Sequence, residues 1–357
     1  MKKVLLFSAA ILALSSCSNT DVLEEGNIQQ TNAIGFQTLV NKESRAITVD
    51  NFDQFLVYGS YKVAGSEVSM QLFNGVPVTK SGNSWTYTDT RYWIEGGTYT
   101  FSAYAVDDDA LPSGANANFR DSKYLNITNI RCDESVQKDL VYARIVSYGP
   151  ASATGNPVQS LNFEHVLARI QFKFENQFPA DYNVKVADLE VINVRNYGNF
   201  YGSQFPSETV NCWVKPDGQG ITDEYTAPTR YPNDQAKPTV KPALSDANAT
   251  IASNASATTD FAYVIPYKYS DANVRISFHI FVTRTVGTET VNVFDKVLTA
   301  SICPEWEMSH SYCYTIGLSG NSSGLDPIVF SGSVEDWNPV EEGEKVNIDA
   351  GRLPSQD

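Results

Sequence analysis

From Ile34 onward the chain alternates apolar and polar positions with a period of two. Ile34, Phe36, Thr38 and Val40 alternate with Gly35, Gln37 and Leu39. Tyr99, Phe101, Ala103 and Ala105 alternate within GGTYTFSAYA. Ile170, Phe172 and Phe174 interleave with Arg169, Gln171, Lys173 and Glu175, the cleanest such run. Val274, Ile276, Phe278, Ile280 and Val282 form another, and Tyr312, Tyr314, Ile316 and Leu318 a further one. Successive side chains of a strand point to opposite faces, so each run reads as a strand with one buried face. Turn signals separate the runs, among them Ser81-Gly82-Asn83, Glu95-Gly96-Gly97 and Asp217-Gly218. No long window carries a helical period. The pattern predicts an all-β fold of sandwiches rather than a parallel α/β sheet.

The run YGPASATGNPVQS from Tyr148 to Ser160 is rich in Gly, Pro, Ser and Ala and has little to bury. It predicts two tandem β-sandwich domains, over residues 46–155 and 156–340. A second soft stretch, Tyr225 to Ser256, reads as a long surface loop of the second domain. Residues 33–45 form a leading strand, and residues 341–357 a C-terminal tail.

Composition narrows the classes. Apolar residues are 42% and charged residues 19%, enough for a core and too apolar for a disordered chain. Lys plus Arg number 26 against 41 Asp plus Glu, a formal charge of −15, and such a surface repels nucleic-acid phosphates. At the start, Lys2 and Lys3 precede VLLFSAAILALSS, Val4 to Ser16. That stretch is too short to span a bilayer and suits a signal peptide over residues 1–16. Leu14-Ser15-Ser16-Cys17 resembles the bacterial lipobox, which implies lipid attachment at Cys17 and a palmitate-type acyl anchor in the outer membrane. Residues 17–32 are polar, with Asp21, Glu24 and Glu25, and read as a tether. They resemble the acidic signals that send Bacteroidetes lipoproteins to the cell surface.

Candidate chemistry is sparse. His279 falls on the polar register beside Arg275 and Ser277, His165 sits in FEHVLARI ahead of a strand, and His310 lies in a turn. None has a Cys or carboxylate at ligand spacing, so they read as surface or packing histidines and no metal site is expected. Cys303 and Cys313 flank a PEWEMSHSY turn on polar registers. A hairpin would set them face to face for a disulfide; half-buried thiols are the equal alternative. Asp107-Asp108-Asp109 lacks the spaced pattern of a calcium loop and reads as solvated loop acids. In SWTYTDTRYWIEGG, Trp93 reads as packing, whereas Trp85 is open to packing or to ligand contact with a sugar face. With no G-x-S-x-G, HExxH or P-loop, no catalytic residue and no cofactor are expected.

Several stretches, in order, resemble the fimbrillin family of Bacteroidales, the subunits and minor components of type V pili. AIGFQTLVNKESRA (Ala33–Ala46) resembles the family's first strand, ending at an Arg processing site. YWIEGGTYTFSAYA (Tyr92–Ala105), FEHVLARIQFKF (Phe163–Phe174), PEWEMSHSYCYTIGL (Pro304–Leu318) and GSVEDWNP (Gly332–Pro339) resemble later family segments. The resemblance implies two transthyretin-like β-sandwiches and a structural, non-enzymatic role. It also implies export as a lipoprotein and cleavage between Arg45 and Ala46. Loss of the leading strand would then let a neighbouring subunit add a strand by β-augmentation. An uncleaved Arg45 with a persisting anchor is the other reading. The tail beyond Trp337 is the candidate donor, although Glu342 and Glu344 share the register of Val346, Ile348 and Ala350. The expected partners are other fimbrillin subunits, the outer membrane and a host or bacterial surface ligand. The rival readings are a glycan-binding surface lipoprotein of a polysaccharide-uptake system and a secreted carbohydrate-active enzyme.

Overall fold

The structure is a computed structural model that describes residues 33–39, 52–82, 84–120, 124–133, 137–148, 158–203, 205, 212–214, 239–244, 250–268, 274–321, 324–325 and 329–336. Cys17, Arg45, Ala46 and the tail over 341–357 lie outside these. The first strands are β1 (Phe36–Leu39), β2 (Gln54–Val63), β3 (Ser69–Ser81), β4 (Ser84–Thr86), β5 (Gly97–Val106), β6 (Asn116–Arg120), β7 (Tyr124–Arg131) and β8 (Leu140–Tyr148). Then follow β9 (Gln159–Asn162), β10 (Glu164–His165), β11 (Ala168–Asn176), β12 (Tyr182–Ile192), β13 (Tyr197–Tyr201), β14 (Trp213–Val214), β15 (Thr239–Val240), β16 (Ser256–Thr258) and β17 (Ala262–Val264). The last are β18 (Tyr267–Lys268), β19 (Val274–Val286), β20 (Glu289–Ile302), β21 (Glu305–Trp306), β22 (His310–Leu318), β23 (Gly320–Asn321), β24 (Gly324–Leu325) and β25 (Val329–Asp336). The fold is all-β, as the alternation predicts.

Two sheets sandwich the C-terminal core. One runs β16-β11-β22-β25, with β11 and β22 parallel; the other is the antiparallel β15-β12-β19-β20. The alternating residues meet between them: Ile170, Phe172 and Phe174 from β11, Ile276, Phe278 and Ile280 from β19, and Tyr314 and Ile316 from β22. Asn176 closes the turn into β12. Its amide donates to the carbonyls of Tyr182 and Ile251 at 3.2 and 2.8 Å and accepts from the N–H of Phe178 at 3.0 Å.

The N-terminal region is built on one antiparallel sheet, β10-β8-β5-β2-β3-β4, apolar on one face and along part of the other. Phe55, Val57, Tyr99, Phe101, Val141 and Ala143 form one face, under β1 and β9. Tyr58, Tyr104, Val106, Leu140 and Tyr142 form the other, covered by the sheet β14-β13-β7-β6. Tyr142 meets Phe200 of that covering sheet edge-on at 5.0 Å. Gly59 lies on the ribbon-side face instead, where a Cβ would stand 2.8 Å from the ring of Phe101.

The sheets do not part at residues 155/156, where the soft run suggests a boundary. β9 and β10 follow that run yet pair with β1 and β8, and β13 returns to pair with β7. A Gly- and Pro-rich run marks a crossing between layers as readily as a linker. Cys303 and Cys313 are likewise not set opposite each other by a hairpin. The chain leaves β20 in one sheet and enters β22 in the other, so the pairing premise of a Cys303–Cys313 disulfide does not hold.

Candidate functional site

Residues 33–39 form a ribbon seated in the first sandwich. Its alternation buries Ile34 and Phe36, which are 1% and 4% exposed. Phe36 packs edge-on against Phe55, Phe73 and Phe101, with centroids 6.5, 5.5 and 5.4 Å away. Such edge-to-face pairs are the preferred aromatic geometry.

Backbone bonds hold the ribbon on both sides. β1 runs parallel to β9, from Phe36 opposite Gln159 to Leu39 opposite Asn162. The N–H of Gln159 donates to the carbonyl of Gly35 at 2.9 Å, and Gln37 donates through Nε2 to Ser160 Oγ at 2.5 Å. Along the other side the Ile34 N–H donates to Arg91 O at 2.8 Å, and Ala33 bridges Tyr92. Tyr87 donates its hydroxyl to Ile34 O at 2.8 Å. Burial pushes the Tyr87 phenol above its ordinary value, so it remains a donor. The seat is therefore an apolar floor between two polar rails.

The other singled-out residues fall elsewhere. Trp85, on the edge strand β4, is half-buried, with its ring 5.4 and 4.9 Å from those of Phe52 and Phe55. It forms the rim of the core beside the ribbon. Trp93 is buried against Tyr99. Cys303 is exposed, Cys313 half-buried, and Cys132 and Cys212 buried. Burial pushes the Cys212 thiol up to about 12, which keeps it protonated at neutral pH.

Two features are missed by sequence spacing. His165 is buried, with Nδ1 2.9 Å from the fully buried carboxylate of Asp139, 26 positions earlier. Asp107 is not a solvated acid. It accepts the Asp139 N–H at 2.9 Å, and burial, with the Asp139 charge adding, raises its carboxyl above the ordinary value. Only Asp108 and Asp109 face solvent. Among the described residues no group of three His, Cys, Asp or Glu side chains is placed to hold a metal. Among them, too, no helix is long and apolar enough to cross a membrane.

Comparison with known proteins completes the description. The profile of the fimbrillin-like family matches residues 44–337. A fimbrial protein from Bacteroides vulgatus superposes with a TM-score of 0.61 at 14% identity, over 85% of this chain and 99% of that one. A candidate cell adhesion protein from Bacteroides ovatus gives a TM-score of 0.45 at 15% identity, over 87% and 99%. No curated protein matches the chain. At such identities the structural likeness is one of fold.

Proposed function

The chain belongs to the fimbrillin-like family, and from that premise we propose that it is a non-enzymatic pilus subunit or pilus-associated adhesin, lipid-anchored during export and assembling by strand exchange. The observation that carries the reading is the seat of residues 33–39. The ribbon precedes the Ser44-Arg45-Ala46 stretch, where a trypsin-like protease would cut. Its loss would bare an aromatic floor at Phe55, Phe73 and Phe101 together with the unpaired edge of β9. Burying two such side chains is worth roughly 3–6 kcal/mol, and the bared hydrogen-bonding edge adds a further drive to recruit a replacement strand. A neighbouring subunit supplying that strand would join two copies without new chemistry.

Cys17 at the end of the lipobox-like run supports the anchor, and the outer membrane and cell surface are the corresponding location. The acidic tail after Trp337 makes a weak apolar donor, which favours a tip, anchor or accessory position over a repeating stalk. N-terminal sequencing of surface-extracted protein tests the reading. A start at Ala46 together with SDS-resistant ladders is the expected result. A chain that retains an acylated Cys17 and never forms ladders refutes strand exchange.

A further inference from the structure

The face of the central sheet turned away from the ribbon changes character along its length. At one end Tyr58, Tyr104 and Tyr142 lie under the covering sheet. Toward the β2–β3 hairpin the same registers carry Ser60 and Lys62 on β2, Thr98 and Thr100 on β5, and Arg144 on β8. Cross-strand pairing makes this one patch: Ser60 lies opposite Thr100, Lys62 opposite Thr98 and Ser69, and Ser102 opposite Arg144. Where the covering sheet ends, Tyr124 at the start of β7 overhangs the patch and closes a cleft of about 160 Å³.

The chemistry of the cleft is unlike that of the surface around it. The protein carries 41 acidic residues, yet among the described residues no carboxylate lines the cleft. Arg144 is half-buried, stacked 5.1 Å from the ring centroid of Tyr124. Its Nε is buried without a hydrogen-bond partner, and it makes no ion pair among the described residues. Lys62, by contrast, meets the exposed Glu67 at the rim, 3.2 Å away. A guanidinium partly withdrawn from water, with no counterion among the described residues, is under-compensated, and an anion entering the cleft would relieve that cost. Stacking on Tyr124 holds the guanidinium in one orientation ahead of any ligand. Beside it stand the hydroxyls of Ser60, Ser69, Thr98 and Thr100, each able to donate and to accept.

We propose that this cleft binds a single anionic sugar residue, its carboxylate or sulfate at Arg144 and its ring hydroxyls along the hydroxyl row. The volume is well below the several hundred Å³ of a drug-sized pocket, which suits one terminal residue of a glycan rather than an extended chain. The assignment names a ligand class for the adhesin reading and rests on that reading only for its biological use. Binding by the purified chain stands or falls apart from strand exchange.

Titration of the full chain with D-galacturonate, D-galactose 6-sulfate, D-galactose and acetate, followed by calorimetry and amide chemical shifts, tests it. One or both charged sugars should bind at least tenfold more tightly than galactose and than acetate, with the preferred one identifying the anion. Shifts should centre on residues 60–62, 98–102 and 144, and affinity should fall with added salt. Arg144→Met should weaken binding about 10- to 100-fold. Thr100→Val, which leaves the charge in place, should weaken it several-fold and guards against misfolding of the first variant. Binding of galactose equal to that of the charged sugars, binding of acetate equal to theirs, indifference to both variants, or no binding at all would overturn the proposal.

Discussion

Truncating Phe36 measures how firmly the ribbon belongs to the first sandwich. The ring is 4% exposed and lies within 6.5 Å of three phenylalanine rings, all three edge-on. A core Phe→Ala change costs about 3–5 kcal/mol, from lost transfer energy plus the cavity left behind. The ribbon is short and borders solvent at Gln37 and Thr38, so it can settle partly into the gap. The lower end, about 3 kcal/mol, is therefore expected. Urea unfolding of the full chain, read by tryptophan fluorescence, is the assay, since Trp85 and Trp93 both pack in this core. With a slope of about 2 kcal/mol per molar, the midpoint of that transition should fall by about 1.5 M. Thr38→Ala, on a partly exposed side chain, should stay within about 0.5 kcal/mol. Tyr87→Phe, which removes the hydroxyl bonded to Ile34 O, should cost about 1 kcal/mol. A loss below about 1 kcal/mol for Phe36→Ala would mean that the ribbon lies on the sandwich without completing its core. The strand-exchange mechanism would then lose its driving force.

Other positions give independent checks. Asn176→Ala removes three backbone partnerships at a buried turn and should cost about 2–4 kcal/mol by the same unfolding assay. Gly97→Ala would set a Cβ 1.9 Å from the ring of Tyr61 and 2.8 Å from Lys62 O, so thermal unfolding should show a loss of about 1–3 kcal/mol. Asp107 supplies a pH test. Its carboxyl is raised by burial above the unfolded value of 3.8, so the folded state holds the proton more tightly and its ionised form is penalised above the folded pKa. Asp107→Asn should therefore be more stable than the natural chain at neutral pH. The gap should close as pH falls through the folded pKa toward 3.8, read as melting temperature against pH. A gap that widens on acidification would contradict the assigned cause.

How much was legible in the sequence follows from how each strand is buried. β11, β19 and β22 have one face in the core and one outward, so their alternation names both the strand and its inner residues. β13 gives no such signal. Tyr197, Gly198, Asn199 and Phe200 are all buried, because a strand enclosed on both sides has no polar register to mark it. The leading ribbon was legible as an alternating strand, but its parallel pairing with β9 was not, since that depends on a chain return more than 100 positions later, Gln37 to Ser160. The buried His165–Asp139 pair escaped for the same reason: local ligand spacing cannot register a partner brought by a neighbouring strand. The cysteine hairpin failed because alternation fixes which face a residue occupies, not which sheet its strand joins. The polar patch around Arg144 was present in the string Gly97-Thr98-Tyr99-Thr100-Phe101-Ser102, where hydroxyl residues fill the register opposite the aromatic one. Reading it as a cleft required the overhang of Tyr124, which only the fold supplies.

That same string lets one sheet carry both proposed roles on opposite faces. On β5, Tyr99 and Phe101 face the ribbon's core while Thr98 and Thr100 line the cleft on the opposite face. Exchanging the ribbon for another strand changes contacts at the odd-numbered positions only. Transmitting that change to the cleft would require β5 to shift or twist, and β5 is paired along nearly its whole length with β2 on one side and β8 on the other. A close-packed sheet flanked in this way resists such motion. The proposed strand-exchange joint and the proposed cleft would therefore occupy one sandwich without interfering.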